Sequence, residues 1–183
     1  GLTIAERIAC GLSLVPEDRQ RDGLVQTMSV GQNLSLASIG TFVRGLLTSP
    51  KIEQELVNES IKRVTVKTSG GAAAIGSLSG GNQQKVVIAR EMSRDLRLLV
   101  VAQPTRGVDV GSIEFIHKRI VATRDAGIPV IVVATELDEA AALAARILVM
   151  YRGRSGGIVP ADTPRDVLGL MMAGIPAEGH EAA

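Results

Sequence analysis

Ser79, Gly80 and Gly81 stand directly ahead of "NQQKVVIAR", a run that reads as a helix. Backbone N–H groups at a helix start have no intrahelical acceptor, and the helix dipole is positive there, so this junction suits an anion. The other reading is a plain helix N-cap with a flexible lead-in. The sequence holds no G-x-x-x-x-G-K-[ST], the loop that usually cradles nucleotide phosphates. Two more stretches invite chemical reading because each follows an apolar run. These are "AQPTRGVD" (102–109) and "TELDEA" (135–140). If the runs are strands of a parallel sheet, both loops lie at carboxyl ends, where such sheets bind ligands.

The elements that must position these residues can be read from spacing. Thr3-x-x-Glu6 is a capping box for a short helix closed by Gly11, and "LSLVP" (12–16) reads as a strand. Residues 17–28 are charged and turn-like. Ser29-x-x-Gln32 repeats the capping box, and Ser49-Pro50 reads as an N-cap followed by proline in the first turn. The helix after Pro50 places Ile52, Leu56, Val57, Ile61 and Val64 on one side, so residues 29–76 are expected to form a helical insert between strands. A helix is expected over about 82–95. "LRLLVVAQ" (96–103) and "IPVIVVA" (128–134) are continuous apolar runs, the pattern of strands buried on both faces. Between them a helix over 112–125 turns Ile113, Ile116 and Ile120 inward, with Glu114 and Lys118 ordered for an i,i+4 pair. Thr135-x-x-Asp138 reads as the cap of a helix reaching about Ala145. "RILVMYRG" and "SGGIVPA" form an edge hairpin, Thr163 to Asp166 starts a last helix, and the final dozen residues look frayed. Alternating strands and helices predict an α/β fold with a largely parallel sheet. The expected segments are 1–28, 29–76, 77–160 and 161–183.

On these motifs the chain resembles the ATP-binding subunits of ABC transporters. "LSGGNQQKVVIAR" is similar to their signature motif, and "LLVVAQPTRGVD" to their Walker B strand and D-loop. "VPEDR" and "PTRGVDVGS" resemble the second ATPase half of tandem importers for simple sugars and nucleosides. The resemblance covers about residues 1–160 and implies a partial P-loop NTPase fold with a helical subdomain. It implies that two halves sandwich ATP, with the signature helix of one capping the γ-phosphate held by the other. Ser79, Gly80, Gly81, Asn82 and Gln83 match that motif, and Asp109 matches the D-loop aspartate. Glycine lets backbone N–H groups approach closely, and the serine hydroxyl can donate a short bond to a charged oxygen.

Elsewhere the chain departs from the family pattern. Where the family carries Asp-Glu-Pro, this chain reads Ala102-Gln103-Pro104. Ala102 offers Mg²⁺ no oxygen ligand. Gln103, at the position of the catalytic glutamate, can hydrogen-bond a water but cannot take a proton, a role commonly worth about 10²–10⁴ in rate. Its bland alternative is to satisfy a loop backbone. Thr135 occupies the position of the switch histidine, or simply caps its own helix. Glu17 falls at the Q-loop glutamine, or lies in a solvated turn. What a site of its own would need is missing or weakened, while what it offers a partner's ATP is intact. The parent half is therefore expected to be the degenerate one of a pair, and this piece alone inactive. The implied cofactors are ATP and Mg²⁺. The implied partners are a companion ATPase half and integral membrane permease subunits, on the cytoplasmic face of the cell membrane.

Composition narrows the alternatives. The chain has 183 residues, 45% apolar, with a net charge of +1 and 2% aromatics, so neither a basic patch nor a stacking platform favours nucleic acid. One Cys and two His argue against a disulfide or a zinc site, and Cys10 reads as a half-buried, inert residue. No apolar run is long enough to span a bilayer, and "GLTIAERIACG" lacks the marks of a signal peptide. The first residue is not Met, which suggests a cut or processed piece. An open sheet edge could pair two copies into a homodimer. Two competing functions are a soluble ABC ATPase of translation or DNA repair, and a dimerisation module indifferent to nucleotide.

Overall fold

The computed structural model describes residues 1–44 and 47–175. In chain order its elements are α1 (Ile4–Ala9), β1 (Leu12–Val15), α2 (Val30–Ser35), α3 (Ile39–Phe42), β2 (Val43–Arg44), β3 (Leu47–Thr48), α4 (Pro50–Arg63), α5 (Gly80–Glu91), β4 (Leu98–Ala102), α6 (Val110–Asp125), β5 (Val130–Val133), α7 (Leu137–Leu143), β6 (Arg146–Tyr151), β7 (Arg154–Pro160) and α8 (Arg165–Met172). They fall into two compact units, Gly1–Ile131 and Val132–Ala183. The helical insert at 29–76 does not separate as a unit of its own, because α2 packs on both α4 and α5.

Both capping boxes form. Thr3 and Ser29 each accept the N–H of the residue three places on, while Glu6 and Gln32 reach back to the cap N–H at 2.7 and 2.9 Å. Asp18 was expected in a turn. Its carboxylate instead accepts the Gln20 and Arg21 N–H groups at 3.0 and 3.1 Å and starts one turn of π-helix over Arg19–Gly23. Ser49 precedes Pro50 as expected but makes no side-chain cap bond. On α4, Val57 is buried while Ile52 is exposed, and Val64, the C-cap residue, is buried.

The three-stranded sheet runs β1-β4-β5, with β1 parallel to β4 from Leu12 opposite Leu98 to Val15 opposite Val101. The expectation of strands buried on both faces is corrected. Leu99 and Val101 are buried, but Leu98, Val100 and Ala102 are half-buried, and Ile131 and Val133 of β5 are each 51% exposed. Successive strand residues point to opposite faces, so one face carries the core and the alternate residues lie open. Helix α5 is the centre of this core. Its residues Gln83–Glu91 are all buried, and its rear is anchored where the Ser13 hydroxyl donates to Glu91 at 2.6 Å while Arg90 pairs with Glu91 at 2.8 Å. Cys10 is exposed rather than half-buried, because it lies at the end of α1, a helix with no buried residue.

In the second unit β6 and β7 form the expected antiparallel hairpin, with a register slip between Val149 and Met150. Val149 and Val159 pack with Leu168 and Met171 of α8. The cap expected at Thr135 moves by one place. Glu136 is the N-cap of α7, without a side-chain cap bond. The frayed tail expected at the end of the chain falls mostly on residues 176–183, outside the described residues.

Candidate anion-binding helix start

Helix α5 begins at Gly80, two residues earlier than expected, and its N-cap is Ser79 in extended backbone. The Ser79 hydroxyl oxygen accepts the Asn82 N–H at 3.4 Å and the Asn82 side-chain amide at 2.9 Å. Asn82 in turn accepts the Lys67 N–H at 2.9 Å, which ties the helix start to the end of the helical insert. Ser79 is thus an N-cap, and it is exposed. Its oxygen serves as acceptor in the cap, so the hydroxyl proton can be donated outward. Gln83 lies differently. It is 5% exposed and donates its amide to the Ile75 carbonyl at 3.3 Å, beneath the helix start rather than at its surface.

The two glycines are where the helix meets the loop after β4. A Cβ on Gly81 would lie 2.1 Å from Asp109 Oδ2 and 2.3 Å from Ser112 Oγ. A Cβ on Gly80 would lie 2.6 Å from Arg19 Nη2 and 2.7 Å from the Gly107 carbonyl. Neither approach leaves room for any side chain. Asp109 is the N-cap of α6 and accepts the Ser112 N–H at 3.0 Å and hydroxyl at 2.9 Å. Those two bonds, the hydroxyl's first, hold its carboxyl below the usual aspartate range, with the charge of Lys85 adding to them. Lys85 is buried, and its ammonium lies 4.9 Å from the Phe115 ring centroid.

The loop itself is held from β1's side. Glu17 forms an ion pair with Arg106. Arg19 donates to the Arg106 carbonyl at 2.7 Å and to the Gly107 carbonyl at 3.0 Å. Gln103, directly after β4, has φ +49, a left-handed conformation that costs a non-glycine residue roughly 1–3 kcal/mol and gathers at functional sites. Ser79, Gly80, Gly81, Asn82, Asp109 and Glu17 thus come together in the first unit. Thr135 belongs to the second. Sequence reasoning missed Arg19, Arg106, Ser112 and Lys85. Arg19 stands in the same "VPEDR" as Glu17, but nothing in local spacing says that it reaches a carbonyl 87 residues away.

The donor set fits an anion and not a metal. At the end of β4, Ala102 has no side-chain oxygen and Gln103 only an amide, and among the described residues no group of three or more His, Cys, Asp or Glu could hold a cation. The same residues therefore do not fit a Mg²⁺ site of this chain's own. What the helix start offers is a hydroxyl and the unpaired first amides of α5.

Comparison with known proteins fits this geometry. The chain is 45% identical over 150 residues to the xylose import ATP-binding protein XylG of Escherichia coli (strain UTI89 / UPEC), covering 81% of this chain and 29% of that protein. It is 45% identical over 167 residues to the nucleoside import ATP-binding protein NupA of Lactococcus lactis subsp. cremoris (strain MG1363), covering 87% of this chain and 32% of that one. The chain thus spans about a third of the length of the curated relatives it matches. Among solved structures it superposes on the dimeric ATP-binding cassette MJ0796 in a post-hydrolysis state bound to ADP and Pi, with TM-score 0.71 and 22% identity, covering 89% of this chain and 69% of that one. A second dimeric structure of that cassette gives TM-score 0.68 at 21% identity. No family model matches.

Proposed function

We propose that this chain, whose fold is that of the ATP-binding cassettes and whose curated relatives are import ATP-binding proteins, is the signature-bearing part of an ATP-binding subunit of an importer for a simple sugar or nucleoside. It lends the start of α5 to ATP seated on a companion ATPase half. The Ser79 hydroxyl and the Gly80 N–H donate toward the γ-phosphate, while Asn82 holds Ser79 in its cap. Gln83 supports the same turn from beneath. Asp109 caps α6 against Gly81 and carries the state of one half to the other across the loop after β4. The Mg²⁺ ligand and the general base for that ATP belong to the companion. Gln103 and Thr135 stand where this half's own site would have its glutamate and histidine, so that site turns over slowly or not at all. Glu17, on the segment after β1, is the contact toward the permease. The subunit works at the cytoplasmic face of the membrane, and among the described residues no helix is long and apolar enough to cross it.

One observation carries this reading. The exposed Ser79 and the half-buried Gly80 are built into a rigid helix start, while the end of β4 lacks the carboxylates that metal and water need. The test is Ser79→Arg in the full-length protein assembled with its partners. ATP turnover is expected to fall by an order of magnitude or more while the protein remains folded, because an N-cap replacement costs only about 1 kcal/mol. Unchanged turnover would discard the proposal.

A further inference from the structure

We propose that Arg19 is a positioning residue that clamps the loop after β4 to the first turn of α5. This inference rests on the function proposed above and adds a residue to it. The Arg19 guanidinium spans two successive carbonyls, Arg106 at 2.7 Å and Gly107 at 3.0 Å. The same Nη2 that bonds Gly107 lies 2.6 Å from where a Cβ on Gly80 would stand, so the guanidinium is wedged between loop and helix. Its Nε is buried and has no acceptor among the described residues, so the two terminal nitrogens carry the side chain's bonds.

A cation beside a helix N-terminus is electrostatically unfavourable for that helix. The two carbonyls offset the repulsion, and the charge then adds to the positive field that the helix start turns outward. A planar fork suits two adjacent carbonyls, whereas a lysine ammonium is a single point donor on a flexible stem. The Glu17–Arg106 ion pair closes a second link between the same two segments. With 17–19, 106–109 and 79–81 joined, the Asp109 cap and the Ser79 cap keep one relative position. Arg19 acts through the loop and touches no nucleotide.

Two measurements on the full-length protein test this. The first is hydrogen exchange without nucleotide in Arg19→Ala. Amides over 103–109 are expected to exchange at least several-fold faster, with those of α4 unchanged; unaltered exchange over 103–109 overturns the clamp whatever the protein's function. The second is steady-state ATPase activity. A displaced contact far from the chemistry can cost about a hundredfold in rate, so Arg19→Ala is expected to lower kcat by about tenfold to a hundredfold with little change in KM for ATP. Added guanidinium ion is expected to restore part of that loss, and Arg19→Lys to restore little. A variant that loses kcat but gains nothing from guanidinium overturns the positioning role in favour of a merely structural one. Should Arg19→Ala not fold, Arg19→Lys carries both measurements with the same expected directions. If Ser79→Arg leaves turnover intact while the exchange result holds, the signature reading fails and the clamp stands.

Discussion

Replacing Gly81 with alanine sets two effects of opposite sign against each other. Gly81 lies in the first turn of α5 at negative φ, and helix propensity alone makes alanine about 1 kcal/mol better there. The surroundings predict the reverse. The new methyl would meet Asp109 Oδ2 at 2.1 Å, Ser112 Oγ at 2.3 Å and Ser112 Cβ at 2.8 Å, each well inside van der Waals contact. Neither oxygen is the idle end of a long side chain, since both belong to the cap of α6. Relief requires α5 to draw back from α6 or the cap to open. Overpacking costs about 1–3 kcal/mol. A lost N-cap costs about 0.5–2 kcal/mol. Less the propensity gain, the middle of the overpacking range leaves Gly81→Ala destabilised by about 1 kcal/mol. Urea unfolding measures it as a lower midpoint at unchanged slope. The assay contains no nucleotide, so it isolates the helix–loop contact from any contact with phosphate. A variant as stable as the parent, or more stable, would refute the argument that these glycines are needed within the chain itself.

Three other substitutions have expected outcomes of their own. Gly169 lies inside α8 with open space where a Cβ would stand, so Gly169→Ala is expected to stabilise the protein by roughly 0.5–1 kcal/mol in thermal unfolding. Asp109 has its carboxyl held below the ordinary aspartate value in the folded state, so its contribution to stability is fully present above that ordinary value and is lost as pH falls through the lower folded one. Unfolding midpoints taken across the acid range should therefore fall less steeply for Asp109→Asn than for the parent. Restoring Gln103→Glu alone in the full-length protein is expected to leave ATP turnover unchanged, because Ala102 still supplies no oxygen for a cation and a base without metal has little to act upon; an ATPase assay of the single and the Ala102→Asp/Gln103→Glu double variant checks this.

Local chemistry explains which parts were legible in the sequence. The capping boxes at Thr3 and Ser29 need only residues three apart, and both formed as read. The Glu114–Lys118 pair, at 2.6 Å, is equally local. The hairpin of β6 and β7 followed from two apolar runs about a short turn. What escaped depended on distant partners. An apolar run such as "IPVIVVA" looks the same whether one face or both are covered, so the exposure of Ile131 and Val133 was not readable. The start of α5 was placed late because glycine is a poor helix former. Here Gly80 and Gly81 are helical for their smallness, imposed by Arg19 and Asp109 from other segments. In the candidate site, Ser79 to Asn82 and Asp109 were marked by motif alone. The guanidinium that joins their segments was not, since its acceptors are backbone carbonyls, which every residue carries.

The account turns on the start of α5 meeting a γ-phosphate held by another half. The most direct measurement is hydrogen exchange of the peptide covering residues 77–90 in the full-length assembly, with hydrolysis blocked. Exchange at the start of α5 should slow with ATP–Mg²⁺ and not with ADP–Mg²⁺. Identical exchange with the two nucleotides, under conditions where both are bound, would contradict it.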